Sequence, residues 1–96
     1  MEIEFTAELE LAAHGKATYL MLRVPQEESD LLDELPLQRA GFGSIKVDAS
    51  IGASTWRTSV FPDKAGFLLL VAKKLGNAEA LVVGEPVTVV LRPVMS

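Results

Sequence analysis

SIKVDASIGASTWRTSVF, residues 44–61, is the stretch whose reading decides the fold. Alternating side chains run up to Gly52-Ala53 and resume after it, which predicts two antiparallel strands joined by a two-residue turn. Glycine in the first turn position suits a type II′ geometry, because it accepts the positive φ that a β-branched residue resists. That turn sets the register. Ile51 lies opposite Ser54, Ala49 opposite Trp56, Val47 opposite Thr58 and Ile45 opposite Val60, on an apolar face. The other face pairs Ser50 with Thr55, Asp48 with Arg57 and Lys46 with Ser59. Asp48–Arg57 then reads either as a surface cross-strand ion pair, worth roughly 0.2–1 kcal/mol, or as part of an anion-facing patch with Lys46 and Ser59.

The chain continues with GFLLLVAKK, residues 66–74, which is apolar at consecutive positions and needs cover on both faces. Residues 61–66, FPDKAG, read as the loop that brings this strand back, with Pro and Asp opening a turn and Gly closing it. On that loop Phe67, Leu69 and Val71 neighbour Phe61, Ser59 and Arg57. The polar face of the first hairpin would run into an apolar surface covered by a helix, a barrel wall or a second subunit, and polar groups at its rim would line a cleft.

Working outward, residues 3–11 alternate Ile, Phe, Ala, Leu and Leu against Glu, Thr, Glu and Glu, the pattern of a strand with one wet face. The acids read as solubilising side chains of an edge. His14-Gly15 falls in the loop that follows, and residues 16–24 form a second strand ended by Pro25. Residues 25–35, PQEESDLLDEL, read as a short packing helix with acids in its first turns and Leu31, Leu32 and Leu35 as its stripe; Pro36 stops it. Residues 37–43, LQRAGFG, are an irregular entry to the hairpin, where Gly41 and Gly43 suggest a bulge or close backbone approach. One helical turn fits residues 78–81, and residues 87–92 form the last strand.

Composition narrows the function. Ninety-six residues at 49% hydrophobic content make one domain (residues 1–96) with a single core and exclude a disordered segment. No cysteine is present, which excludes disulfides, thiolate metal sites and a cysteine nucleophile. No run approaches the ~20 apolar residues of a membrane span, and the acidic, alternating start is unlike a signal peptide. Cytoplasmic residence and no membrane partner are the expectation. The net charge of −4 is unevenly spread: residues 1–35 carry nine acids against Lys16 and Arg23, and the remainder four acids against seven Lys and Arg. Overall acidity argues against a nucleic-acid partner, which needs several phosphate contacts. The basic second half leaves room for one small anion.

Catalytic signatures are missing. His14 is the only histidine. One imidazole with no thiolate makes a zinc site improbable, and no serine sits in a nucleophile elbow. The paired carboxylates lie at alternate positions of an exposed strand, where water solvates them without raising a pKa. Lys73 and Lys74 end the apolar strand, either snorkelling or offering an anion ligand near Arg57. Trp56 reads as core.

Phe5, Tyr19, the Val24-Pro25 step, Ile45-Lys46-Val47, Trp56 through Ser59, Pro62, Gly66, residues 70–74 and Gly84-Glu85-Pro86-Val87 recur in one order. In that order the chain resembles the bacterial family of the domain of unknown function nineteen-oh-five. The resemblance covers nearly the whole chain and implies a small β-barrel with no established activity, found alone or beside a domain labelled as bacteriocin-protection or outer-membrane-protein-associated. The usual Gly-Asp before the last strand is Gly84-Glu85 here, and an acid near that strand's end is missing beside Pro93.

The expectation is a mostly β protein: a small closed or partly open antiparallel barrel of about six strands with one short packing helix. As to function, the residues point to a binding module for a small anionic ligand or peptide, with Arg39, Lys46, Arg57, Ser59 and Lys73 as candidate ligand-binding residues. No catalytic residue, metal or cofactor is assigned. The alternative is a domain that self-associates as a homodimer through an apolar outer face of residues 67–71. An enzyme is the least favoured of the three.

Overall fold

A computed structural model describes residues 1–35, 39 and 41–94, without the side chains of His14 and Phe42. Six antiparallel strands close a barrel in the order β1-β2-β5-β4-β3-β6. The strands are β1 (Ile3–His14), β2 (Ala17–Arg23), β3 (Ile45–Ile51), β4 (Ser54–Asp63), β5 (Gly66–Val71) and β6 (Pro86–Pro93). Two short helices accompany them, α1 (Gln26–Glu34) and α2 (Lys73–Ala78). Closure depends on β1. Its first half, Ile3 to Glu8, pairs with β6, and its second half, Leu9 to His14, pairs with β2. One long, staggered strand thus joins both flanks of the sheet.

The hairpin at 44–61 has the expected register: Ile51 faces Ser54, Asp48 faces Arg57 and Lys46 faces Ser59. Gly52 has φ +57° and Ala53 does not enter the positive region, as a type II′ turn requires. Ile45, Val47, Ala49 and Ile51 point inward and are buried, and Phe5, Leu9, Leu22, Val60, Leu69, Val89 and Leu91 meet them in the core.

The β4–β5 hairpin departs from expectation. Its turn is the two-residue Lys64-Ala65, with Asp63 opposite Gly66, Pro62 opposite Phe67 and Val60 opposite Leu69. The six-residue loop read from the sequence is off by one position, and a one-residue slip exchanges the faces of a strand. Phe67, Leu69 and Val71 are therefore inside, next to Val60, and not on the polar outer face beside Arg57 and Ser59. Leu68 and Leu70 take the outer face.

Smaller corrections follow from turns. β1 extends through His14 to a turn at Gly15-Lys16, so His14 belongs to the strand and not to a loop. Lys73 and Lys74 do not end β5. The strand stops at Val71, and they open a second helix that the sequence suggested only as one turn further on. Gly41–Gly43 form a turn of 3₁₀ helix, whose Gly41 carbonyl accepts from the Ser44 hydroxyl at 3.2 Å. The rest of the irregular entry, 37, 38 and 40, and the stop at Pro36 lie outside the described residues.

The helices cover opposite ends. α1 carries acids in its first turn, as the dipole favours, and buries Leu32. Its Ser29 is buried and fully bonded: the hydroxyl donates to the Val24 carbonyl at 3.1 Å and accepts the Phe67 amide at 3.1 Å. This one hydroxyl joins the end of β2, the start of β5 and the helix. At the other end, Gly76 of α2 sits on Leu20 of β2 so closely that a Cβ would lie 2.8 Å from Leu20 Cδ1.

Candidate functional site

The outer face of β3 and β4 carries the polar residues that the alternation placed there. Arg57 grips Asp48 with two hydrogen bonds, Nε to Oδ1 at 2.9 Å and Nη2 to Oδ2 at 3.1 Å. Ser50 and Thr55 share a hydroxyl bond of 2.8 Å. From β6, Arg92 donates to Ser50 Oγ at 3.1 Å and pairs with Glu2. Lys46 is exposed, with half-buried Ser59 directly across from it. Carboxylates thus balance much of the positive charge of this face.

The five candidate residues do not converge. Lys46, Arg57 and Ser59 share the outer face. Arg39 lies at the α1 end, where its guanidinium bonds Asp33 Oδ1 at 2.7 Å and stacks 5.3 Å from the centre of the Phe67 ring. Lys73 lies at the α2 end, and its Nζ donates to Thr18 Oγ1 of β2 at 3.0 Å. Alternation along β4 groups residues within one hairpin, but it carries no information about which end of a barrel a helix will cover.

The concave feature near these residues lies beside the polar face, at the α2 end. It is an open groove of about 650 Å³ between β4 and α2, lined by Ser54, Thr55 and Trp56 on one wall and Ala72, Lys74 and Leu75 on the other. Trp56 points inward, opposite fully buried Ala49, yet it is only partly buried. Reading it as core was half right: it packs on the core and also floors the groove. Glu79, just beyond α2, closes one end by accepting from Ser54 Oγ at 2.6 Å and from the Ala53 amide at 3.3 Å. A Cβ on Gly52 would run into that carboxylate, so the glycine serves both the turn and the clamp. Leu75 and Glu79 were missed as site residues, and Lys74 was weighed as an anion ligand without entering the candidate set, because the sequence runs the strand through residues 66–74 and gives no sign that a helix begins at Lys73. The lone tryptophan opposite a small residue is the signal that could have found the groove, but from the sequence it reads as core.

Two carboxylates are held below their ordinary range. The Arg57 guanidinium lowers Asp48, with help from Arg92. Arg23 lowers Asp63 through an ion pair, and the Ala65 amide adds a bond of 2.9 Å. A carboxyl with a depressed folded-state pKa contributes stability above its unfolded value near 4, and loses it as pH falls through the folded value. The expected result is a midpoint of urea unfolding that is flat from about pH 7 to 5 and falls progressively below about pH 4. Asp63→Asn should start lower and lose less over the same range; an unchanged acid slope in that variant would refute the assignment. Both groups are largely solvated, so the effect is modest.

Among the described residues, no group of His, Asp and Glu is arranged to hold a metal ion, and no helix is long and apolar enough to cross a membrane. What the geometry defines is a closed, six-strand antiparallel barrel with a helix at each end and an aromatic groove under one of them. The chain belongs to the family described as a domain of unknown function, DUF1905, which matches residues 5–91, nearly its whole length. Comparison with curated proteins finds no match.

Proposed function

We propose that this domain is a binding module, and that a small anionic ligand or a peptide enters the groove between β4 and α2. The observation that carries the reading is Trp56, an inward-facing indole left partly exposed in an open groove with Lys74 on the facing wall. An apolar floor with a few convergent polar groups is the usual make-up of a ligand site. Arg57 and Ser59 stand at the outer margin of the same strand, and Lys46 lies across from Ser59. The proposed setting is the bacterial cytoplasm.

Trp56 is the only tryptophan, so its emission reports on the groove alone. Citrate, inorganic phosphate or a pool of acidic heptapeptides should shift that emission and raise the melting temperature. Lys74→Ala should weaken the response severalfold while leaving the unliganded melt unchanged. If none of the probes moves either signal, the reading fails.

Self-association is a second reading, supported by the strip of Leu68, Leu70, Phe61 and Met21 on the outer face of β5 and its neighbours. Phe61 and Leu70 are 37% and 38% exposed. Light scattering at millimolar concentration should then exceed the monomer mass, and a strict monomer removes this option.

A further inference from the structure

β4 is paired over seven of its ten residues on one side and over four on the other. Its ladder with β3 runs from Ser54 to Val60, whereas its ladder with β5 covers only Val60 to Asp63. The direction of the remaining backbone groups follows from two hydrogen bonds. The Val94 amide donates to the Lys46 carbonyl, so the even-numbered residues of β3 face β6 and the odd-numbered ones face β4. Thr58, Trp56 and Ser54, opposite Val47, Ala49 and Ile51, therefore turn their amides and carbonyls to β3. Thr55, Arg57 and Ser59 turn theirs away from it. On the other strand, the Val24 amide donates to the Phe67 carbonyl, so Phe67, Leu69 and Val71 face β2. Leu70 faces β4 at the position opposite Ser59, and the Val60–Leu69 pairing engages the Leu70 amide with the Ser59 carbonyl; the ladder goes no further. The two strands splay after Val60 and Leu69, and the groove occupies the opening.

We infer that a partner protein binds this domain by adding one extended strand to the free edge of β4, between β4 and α2. The inference rests on the binding-module reading and names the class of ligand. The amides of Thr55, Arg57 and Ser59 and the carbonyls of Thr55 and Arg57 form a row that an extended chain of about five residues matches at ~3.3 Å per residue. A small anion would leave most of that row unmet. Alternate side chains of the added strand would lie over Trp56 and Leu75, and the others would emerge beside Arg57. The charge selects acidic partners: Lys74 lines the groove and takes part in no ion pair among the described residues, and the nearby Glu79 is already engaged by Ala53 and Ser54. Edges left open in this way are normally blunted or covered; here α2 rests on β2, and the groove lies between it and this edge.

The test is to pan the folded domain against a displayed library of random heptapeptides and to scan an enriched peptide by N-methylation. The expected result is enrichment of alternating acidic and apolar sequences. Methylating every second amide should lower affinity at least tenfold, and methylating the intervening amides should change it less than threefold. In nitrogen-15 spectra the amides of Thr55, Arg57 and Ser59 should shift and gain protection from exchange. Arg57→Pro, which removes an outward-facing amide together with the Asp48 pair, should weaken binding at least tenfold, and Arg57→Gln, which removes the pair and keeps the amide, far less. If no peptide is enriched, if methylation shows no alternation, or if the shifts fall on the Lys46–Arg92 face, strand addition is wrong. In those cases a response of Trp56 to citrate or phosphate would leave the binding-module reading standing, and no response would remove both.

Discussion

Leu69→Ala is expected to lower the unfolding free energy by about 2–5 kcal/mol, while Leu70→Ala costs less than about 1 kcal/mol. Leu69 is fully buried, flanked by Leu22 on β2 and Val60 on β4, so truncation leaves a cavity that two strands border. Its neighbour Leu70 lies on the outer face and is 38% exposed. A domain of this size has a total stability of roughly 5–15 kcal/mol, so the first variant should lose a large share of it. Urea unfolding followed by Trp56 emission measures both. The contrast tests the register, because a one-residue slip at the Lys64-Ala65 turn would exchange the two residues and reverse the order of the costs. Equal costs would refute the face assignment.

Gly66→Ala is expected to cost about 2–4 kcal/mol, well above the roughly 1 kcal/mol of Gly15→Ala. Both glycines have positive φ, +134° at Gly66 and +63° at Gly15, and both sit at hairpin ends. Their surroundings differ. A Cβ on Gly15 meets nothing within 4 Å, whereas one on Gly66 would lie 2.5 Å from Ser29 Oγ and 3.0 Å from Ser29 Cβ. Moving Ser29 aside breaks the bonds its hydroxyl makes to the Val24 carbonyl and the Phe67 amide. The alanine therefore adds the loss of a buried hydrogen-bond junction to backbone strain. Thermal unfolding of the two variants side by side decides it, and a Gly66 variant no less stable than the Gly15 variant would show that the α1 junction contributes little.

The first hairpin was legible because its turn is short and its alternation is strict. Gly52 admits one geometry, and from it Asp48–Arg57 and Lys46–Ser59 follow residue by residue. The second hairpin was not legible to the same depth. FPDKAG offers Pro, Asp and Gly as turn residues, and a loop of two residues or of six satisfies them equally. An all-apolar strand such as β5 gives no alternation to choose between the registers. The candidate site suffered from the same ambiguity: Lys46, Arg57 and Ser59 were grouped correctly within one hairpin, while Arg39 and Lys73 were drawn in from opposite ends of the barrel.

From the amino-acid order alone came the strand content, the tight turn at Gly52 and the face to which each residue of 45–60 belongs, because local alternation and turn chemistry act between near neighbours. Tertiary structure decided the rest: which leucines of β5 are inside, that α2 leans on β2, and that β4 parts from β5 after Val60 to open a groove at Trp56. Those outcomes depend on how a staggered sheet closes on itself, and closure is settled between strands far apart in the chain.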